Sequence, residues 1–133
     1  MTLSVFNAAR PVVAPGKEGV VYYPAMGLQV STDYGKTFTR MDTLAACMAV
    51  GLGKGKTDSD PYTIFVWGKP TNDDPMGLYW SEDEGKTWSR VNDNQHQFGG
   101  PGNGYFVAGD MNTYGRVYMS TVGLGVVYGD LVQ

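Results

Sequence analysis

The chain has 133 residues and a mass of 14.4 kDa, the size of one modest domain, and its 42% hydrophobic content suffices for a packed core. A formal net charge of −3 excludes the basic surface that nucleic acid or an anionic membrane requires, so a neutral partner is expected. With 19 glycines, 13% aromatic and only 17% charged residues, the composition is that of an all-β chain, because turns use glycine and pleated faces favour aromatic rings.

Met1 to Arg10 lacks the basic start and apolar run of a signal peptide, and no later stretch approaches the ~20 apolar residues of a membrane helix. The opening through Arg10-Pro11-Val12-Val13 reads as that of a trimmed or freestanding chain. Alternating patterning and turn punctuation predict strands over Val20–Tyr23, Gly27–Ser31 and Thr37–Met41, with no clear inner strand before them. A second set covers Ala45–Gly51, Tyr62–Trp67, Gly77–Ser81 and Thr87–Asn92. A third covers Tyr105–Ala108, Arg116–Ser120 and Gly125–Tyr128, and ends where an outer strand should begin. No window carries a helical stripe. Cys47 stands alone, so no internal disulfide is possible, and its apolar surroundings mark it as a core thiol.

An internal repeat organises these strands. Residues 26–41 (MGLQVSTDYGKTFTRM) and 76–91 (MGLYWSEDEGKTWSRV) align without a gap and agree at nine of sixteen positions. Chance would give roughly one. Each copy is an apolar strand running into Ser-x-Asp-x-Gly-x-Thr-aromatic, the Asp box: Ser31, Asp33, Gly35, Thr37 and Phe38, then Ser81, Asp83, Gly85, Thr87 and Trp88. The carboxylate can bond the N–H groups of its own turn, the glycine suits a positive φ, and the aromatic ring anchors the turn on the core. These residues are therefore expected to lock hairpins; catalysis is the weaker reading of the carboxylates. Groups of strands about 50 residues apart are propeller blades, expected over 11–41, 44–92 and 103–133 of a single segment. Two and a half to three blades do not close a ring. A fragment of a larger chain, an oligomer completing the ring, or a collapse into a sandwich-like packing are the alternatives.

Other signals fail on chemical grounds. Gly55-Lys56-Thr57 invites a phosphate loop, but Val50 stands where the first glycine is needed, and Asp58-Ser59-Asp60-Pro61 follows instead of a helix. His96 is the only histidine, which leaves neither a zinc ligand set nor a catalytic triad. The acidic clusters at 58–60, 72–74 and 92–94 lack the spacing of a calcium loop. No metal and no cofactor are expected.

Several segments carry a more specific signal: Ala14-Pro15-Gly16-Lys17-Glu18-Gly19, the two Asp boxes, Val91-Asn92-Asp93-Asn94-Gln95-His96-Gln97-Phe98-Gly99, Gly109-Asp110, Tyr114-Gly115-Arg116-Val117-Tyr118 and the closing Gly123 to Asp130. Together they resemble the carboxyl-terminal propeller of glycoside hydrolase family 74, the xyloglucanases. Val122 and Leu124 depart from that pattern, which has Asn and Arg there. The resemblance implies an extracellular enzyme of two propellers acting on plant cell-wall β-glucan such as xyloglucan, with a catalytic aspartate in each. Neither catalytic motif occurs in this chain. Inverting hydrolysis needs two carboxylates about 6.5–9.5 Å apart, and none of the acidic residues suggests such a pair, so no catalytic residue is assigned. The expected function is a non-catalytic portion of such a hydrolase that contacts β-1,4-glucan. The alternatives are a freestanding carbohydrate-binding module and a self-assembling fragment without ligand. Sugar contacts want aromatic rings beside amides, and the blade end opposite the Asp boxes collects Trp67, Gln95, His96, Gln97, Phe98, Asn103 and Tyr105. Trp67 and Tyr105 can equally be buried blade-face aromatics.

Overall fold

The computed structural model describes residues 10–96 and 106–131, which hold eleven strands and no helix. The first sheet runs in the order β1 (Val12–Val13), β2 (Val21–Pro24), β3 (Leu28–Ser31) and β4 (Thr39–Arg40). The second runs β5 (Ala46–Gly53), β6 (Thr63–Lys69), β7 (Gly77–Ser81) and β8 (Ser89–Arg90). The third has β9 (Val107–Gly109), β10 (Val117–Ser120) and β11 (Val126–Gly129). Every pairing is antiparallel between chain neighbours. Each sheet is therefore a meander.

The middle sheet is buried on both faces, and strand alternation decides which residue goes where. On β6, Ile64 and Val66 face the first sheet, while Phe65 and Trp67 face the third. On β7, Tyr79 joins the first side and Leu78 the second. One core thus holds Tyr22, Leu28, Leu44, Val50, Ile64 and Val66. The other holds Ala49, Phe65, Trp67, Leu78, Val107 and Met119. On β5, Cys47 shares a core with Val50 and Leu52 although its parity is wrong for that face. A register shift between Cys47 and Ala49 resolves this: Met48 bulges out of the ladder, and the strand flips its faces at that point.

Inner strands of adjacent sheets approach closely. A Cβ on Gly51 would lie 2.3 Å from the Val107 carbonyl oxygen, so only a glycine lets β5 and β9 meet. Sheets stacked face to face with inner strand beside inner strand are neighbouring propeller blades. The sandwich-like collapse does not form.

The observed elements differ from the expected ones at their edges. An inner strand, β1, does exist ahead of β2, but it has two residues, too few to read from sequence. The outer strands shrink from Thr37–Met41 and Thr87–Asn92 to two residues each, because Thr37 and Thr87 are spent on the Asp-box turns. The third sheet stops at its third strand.

Candidate functional site

The two Asp boxes adopt one geometry. Ser31 Oγ donates to Asp33 Oδ1 at 2.7 Å and accepts from the backbone N–H groups of Asp33 (3.2 Å) and Gly35 (2.8 Å). Asp33 also accepts from Thr37 N at 2.8 Å and Thr37 Oγ1 at 2.6 Å. The corresponding contacts at Ser81, Asp83, Gly85 and Thr87 are 2.7, 3.4, 2.8, 2.9 and 2.6 Å. In both turns a pair of residues takes positive φ: Tyr34 (62°) with Gly35 (81°), and Glu84 (60°) with Gly85 (89°). The glycines were foreseeable. The non-glycine partners were not, since nothing in Tyr or Glu favours the left-handed region.

These bonds set the carboxylate chemistry. The Thr37 hydroxyl and backbone N–H hold Asp33 down at about 2, from an ordinary 3.8. Asp83 is held at about 2 in the same way, led by the Thr87 hydroxyl. A carboxylate saturated by donors from its own turn is a poor proton carrier. Phe38 packs on Tyr23 with ring centroids 6.3 Å apart, and Trp88 packs against the first core. The Trp88 indole also donates to Thr43 Oγ1 (3.0 Å), which donates to the Gly85 carbonyl (2.5 Å). The second Asp box is thereby tied to the connection between the first two sheets. Glu82 and Glu84, on the same turn, accept from the Tyr114 hydroxyl in the β9–β10 connection and from the Lys17 ammonium in the β1–β2 connection.

Meander topology sends the β6–β7 connection and the segment after β8 to the end opposite the Asp boxes. There Asn92, buried, accepts from the Leu78 N–H (2.8 Å) and donates to the His96 carbonyl (2.8 Å), fastening the loop to β7. Asp93 Oδ1 receives the backbone N–H groups of Gln95 (2.9 Å) and His96 (2.8 Å), and lies 2.7 Å from His96 Nδ1. The His96 contact leads the forces that lower the Asp93 pKa. Facing an ionised acceptor, Nδ1 carries the proton, so in the neutral ring Nε2 is an acceptor. Arg90 Nη1 donates to Asn94 Oδ1 at 2.8 Å. Gln95 and His96 are exposed, and His96 lines a cleft of about 190 Å³ between the second and third sheets together with Asp93, Met119, Tyr128 and Asp130.

Trp67 is only 6% exposed and packs between the second and third sheets, in the blade-face position. Gln97, Phe98, Asn103 and Tyr105 lie outside the described residues. Tyr128 and Asp130 on the cleft wall were not singled out from sequence, although both belong to the closing motif that carries the resemblance. Among the described residues, no group of three or more His, Cys, Asp or Glu side chains could hold a metal ion.

No family model matches the sequence. Individual proteins do. A xyloglucanase of Acetivibrio thermocellus is 42% identical over 87% of this chain and 14% of its own length. An oligoxyloglucan-reducing end-specific xyloglucanase of Emericella nidulans is 33% identical over 98% of this chain and 16% of its own. The crystal structure of the GH74 enzyme of Niastella koreensis superposes with a TM-score of 0.84 at 41% identity, over 93% of this chain and 18% of that one. The chain is a GH74 propeller segment. It spans about one sixth of the length of the GH74 proteins it matches, three sheets' worth of Asp-box propeller in an incomplete ring.

Proposed function

We propose that this chain is a non-catalytic portion of a xyloglucan-active GH74 propeller, with blades over 11–41, 44–92 and 103–133, contacting β-1,4-glucan at the end opposite its Asp boxes. The observation that carries it is 42% identity to a xyloglucanase together with the fixed Asn92–His96 loop at that end. Gln95 and His96 offer amide and imidazole groups to sugar hydroxyls, and Asp93 fixes the imidazole, while Trp67, singled out with them, lies in the core between the second and third sheets. Gln97, Phe98, Asn103 and Tyr105 complete the proposed contact surface. An extracellular setting goes with the same reading.

On this reading the Asp-box carboxylates lock their turns and take no part in hydrolysis. Inverting hydrolysis needs one acid whose pKa is raised so that it arrives protonated. Among the described residues, every carboxylate with a displaced pKa is displaced downward: Asp33, Asp83, Asp93, Asp110 and Asp130. Reducing-sugar release from xyloglucan by the purified chain should stay at background. Turnover abolished by replacing a single aspartate would reject the proposal. Affinity electrophoresis in xyloglucan, mixed-linkage glucan and an unrelated polysaccharide tests binding: retardation by the glucans, reduced in His96→Ala, is expected. Unretarded migration in all three gels would remove the ligand.

A further inference from the structure

We propose that Arg90, laid over Gly77, is the positioning residue that holds the Asn92–His96 loop in the form that meets ligand. Among the identities of the repeat that take no part in the Asp-box turn are Gly27 and Gly77, at the head of the third strand of their sheets, and Arg40 and Arg90, which close the fourth. The fold joins them. A Cβ on Gly27 would lie 2.8 Å from Arg40 Nε, and one on Gly77 would lie 3.3 Å from Arg90 Nε and 2.8 Å from Asn92 Oδ1. Gly77 does not take a positive φ, so the room above its backbone is what this glycine supplies. That room admits both Arg90 and Asn92.

Each guanidinium reaches forward from its seat into the connection that leaves its sheet. Arg40 Nη2 donates to the Ala45 carbonyl at 3.3 Å, and Arg90 Nη1 donates to Asn94 Oδ1 at 2.8 Å. In the first blade that connection is a plain link to β5. In the second it is the loop proposed to meet sugar, held at its root by Asn92 and farther along by Arg90. Packing alone does not account for an arginine here. Among the described residues, Arg90 Nε and Nη2 are the buried side-chain nitrogens with no acceptor. Leaving such donors unmet costs stability, and an apolar chain of the same length would fill the seat without that cost. An apolar chain cannot donate to Asn94. The planar fork of an arginine, its stem fixed against the glycine, gives that bond a direction that a lysine ammonium does not. Asn94 stands between Asp93, which binds the His96 ring, and Gln95, so holding Asn94 holds both groups offered to ligand.

His96 is the only histidine, so its ring nitrogens report on the loop without ambiguity. In nitrogen NMR spectra of the 133-residue chain without glucan, the wild-type ring should show the Nδ1–H tautomer. In Arg90→Met that preference should be lost, and retardation in xyloglucan gels should fall by about threefold or more. Arg40→Met removes the equivalent arginine of the first blade, and should leave both the His96 spectrum and the retardation unchanged. Asn94→Ala, at an exposed site, should match Arg90→Met, and the double variant should be no worse than either. The glucan arm rests on the function proposed above, whereas the tautomer is read without ligand. A wild-type chain that no gel retards therefore rejects that function, and the spectrum still decides this inference. An unaltered His96 spectrum in Arg90→Met overturns it. So does an equal change in Arg40→Met, which would mean a general loosening of the blades, or additive effects of Arg90→Met and Asn94→Ala.

Discussion

Ser31 and Ser81 hold the Asp-box turns from beneath while Asp33 and Asp83 hold them from outside. Both serines are almost fully buried, and each hydroxyl serves one carboxylate and two backbone N–H groups. Ser81→Ala leaves the Gly85 N–H without its acceptor in a buried position, and should cost about 1–3 kcal/mol in urea unfolding at an unchanged m-value. The carboxylates make stability depend on acid. Their folded pKa values, about 2, lie below the unfolded 3.8, so the folded state holds fewer protons. That stabilisation is complete above the unfolded value and is lost as pH falls through 3.8 toward 2. The unfolding midpoint should drop across this window, and the Asp33→Asn, Asp83→Asn double variant should show a shallower drop from a lower starting point. Equal pH slopes in both proteins would mean that other carboxylates govern acid unfolding. At this scale the sequence was readable, because every partner in the turn lies within four residues. The Asn92–His96 clamp was only half readable: the Asp93 bonds are local, whereas the anchor to Leu78 spans fourteen residues.

Strand order within each sheet follows from the spacing of apolar runs, and the strands differ from expectation where a tertiary partner intervenes. The bulge at Met48 is one such place: nothing in Ala46-Cys47-Met48-Ala49 announces it, yet it turns Cys47 toward the first sheet and Ala49 toward the third. Trp67 is another. An aromatic residue near a loop can bind a sugar or fill a core, and the third sheet decides the matter by covering it. Two substitutions test this layer. Phe65→Ala empties a site that is 1% exposed, and should cost about 3–5 kcal/mol in thermal or urea unfolding. Gly51→Ala places a methyl group against the Val107 carbonyl, and about 1–3 kcal/mol of overpacking is expected as β5 and β9 are pushed apart. A Gly51→Ala protein as stable as wild type would show that the inner strands are not held at this distance.

Across the whole molecule, two cores sharing one middle sheet should unfold together, since the loss of either bares a face of that sheet. Cys47 reports on this. Burial pushes its thiol up to about 12, so it should resist a thiol reagent at pH 8 in the native state. Its labelling should appear in urea at the same midpoint as the fluorescence change of Trp67 and Trp80, which sit between the other two sheets. Separate midpoints would mean that the first sheet comes away alone. By itself the sequence determined the all-β class, the repeated turn, the blade spacing and the kinship with GH74 proteins, because each rests on local bonding or on motif order along the chain. The tertiary structure alone decided which aromatics are core and where β5 reverses its faces. Those properties depend on what lies across a sheet, and strand alternation shows that a residue points to one side without showing what waits there.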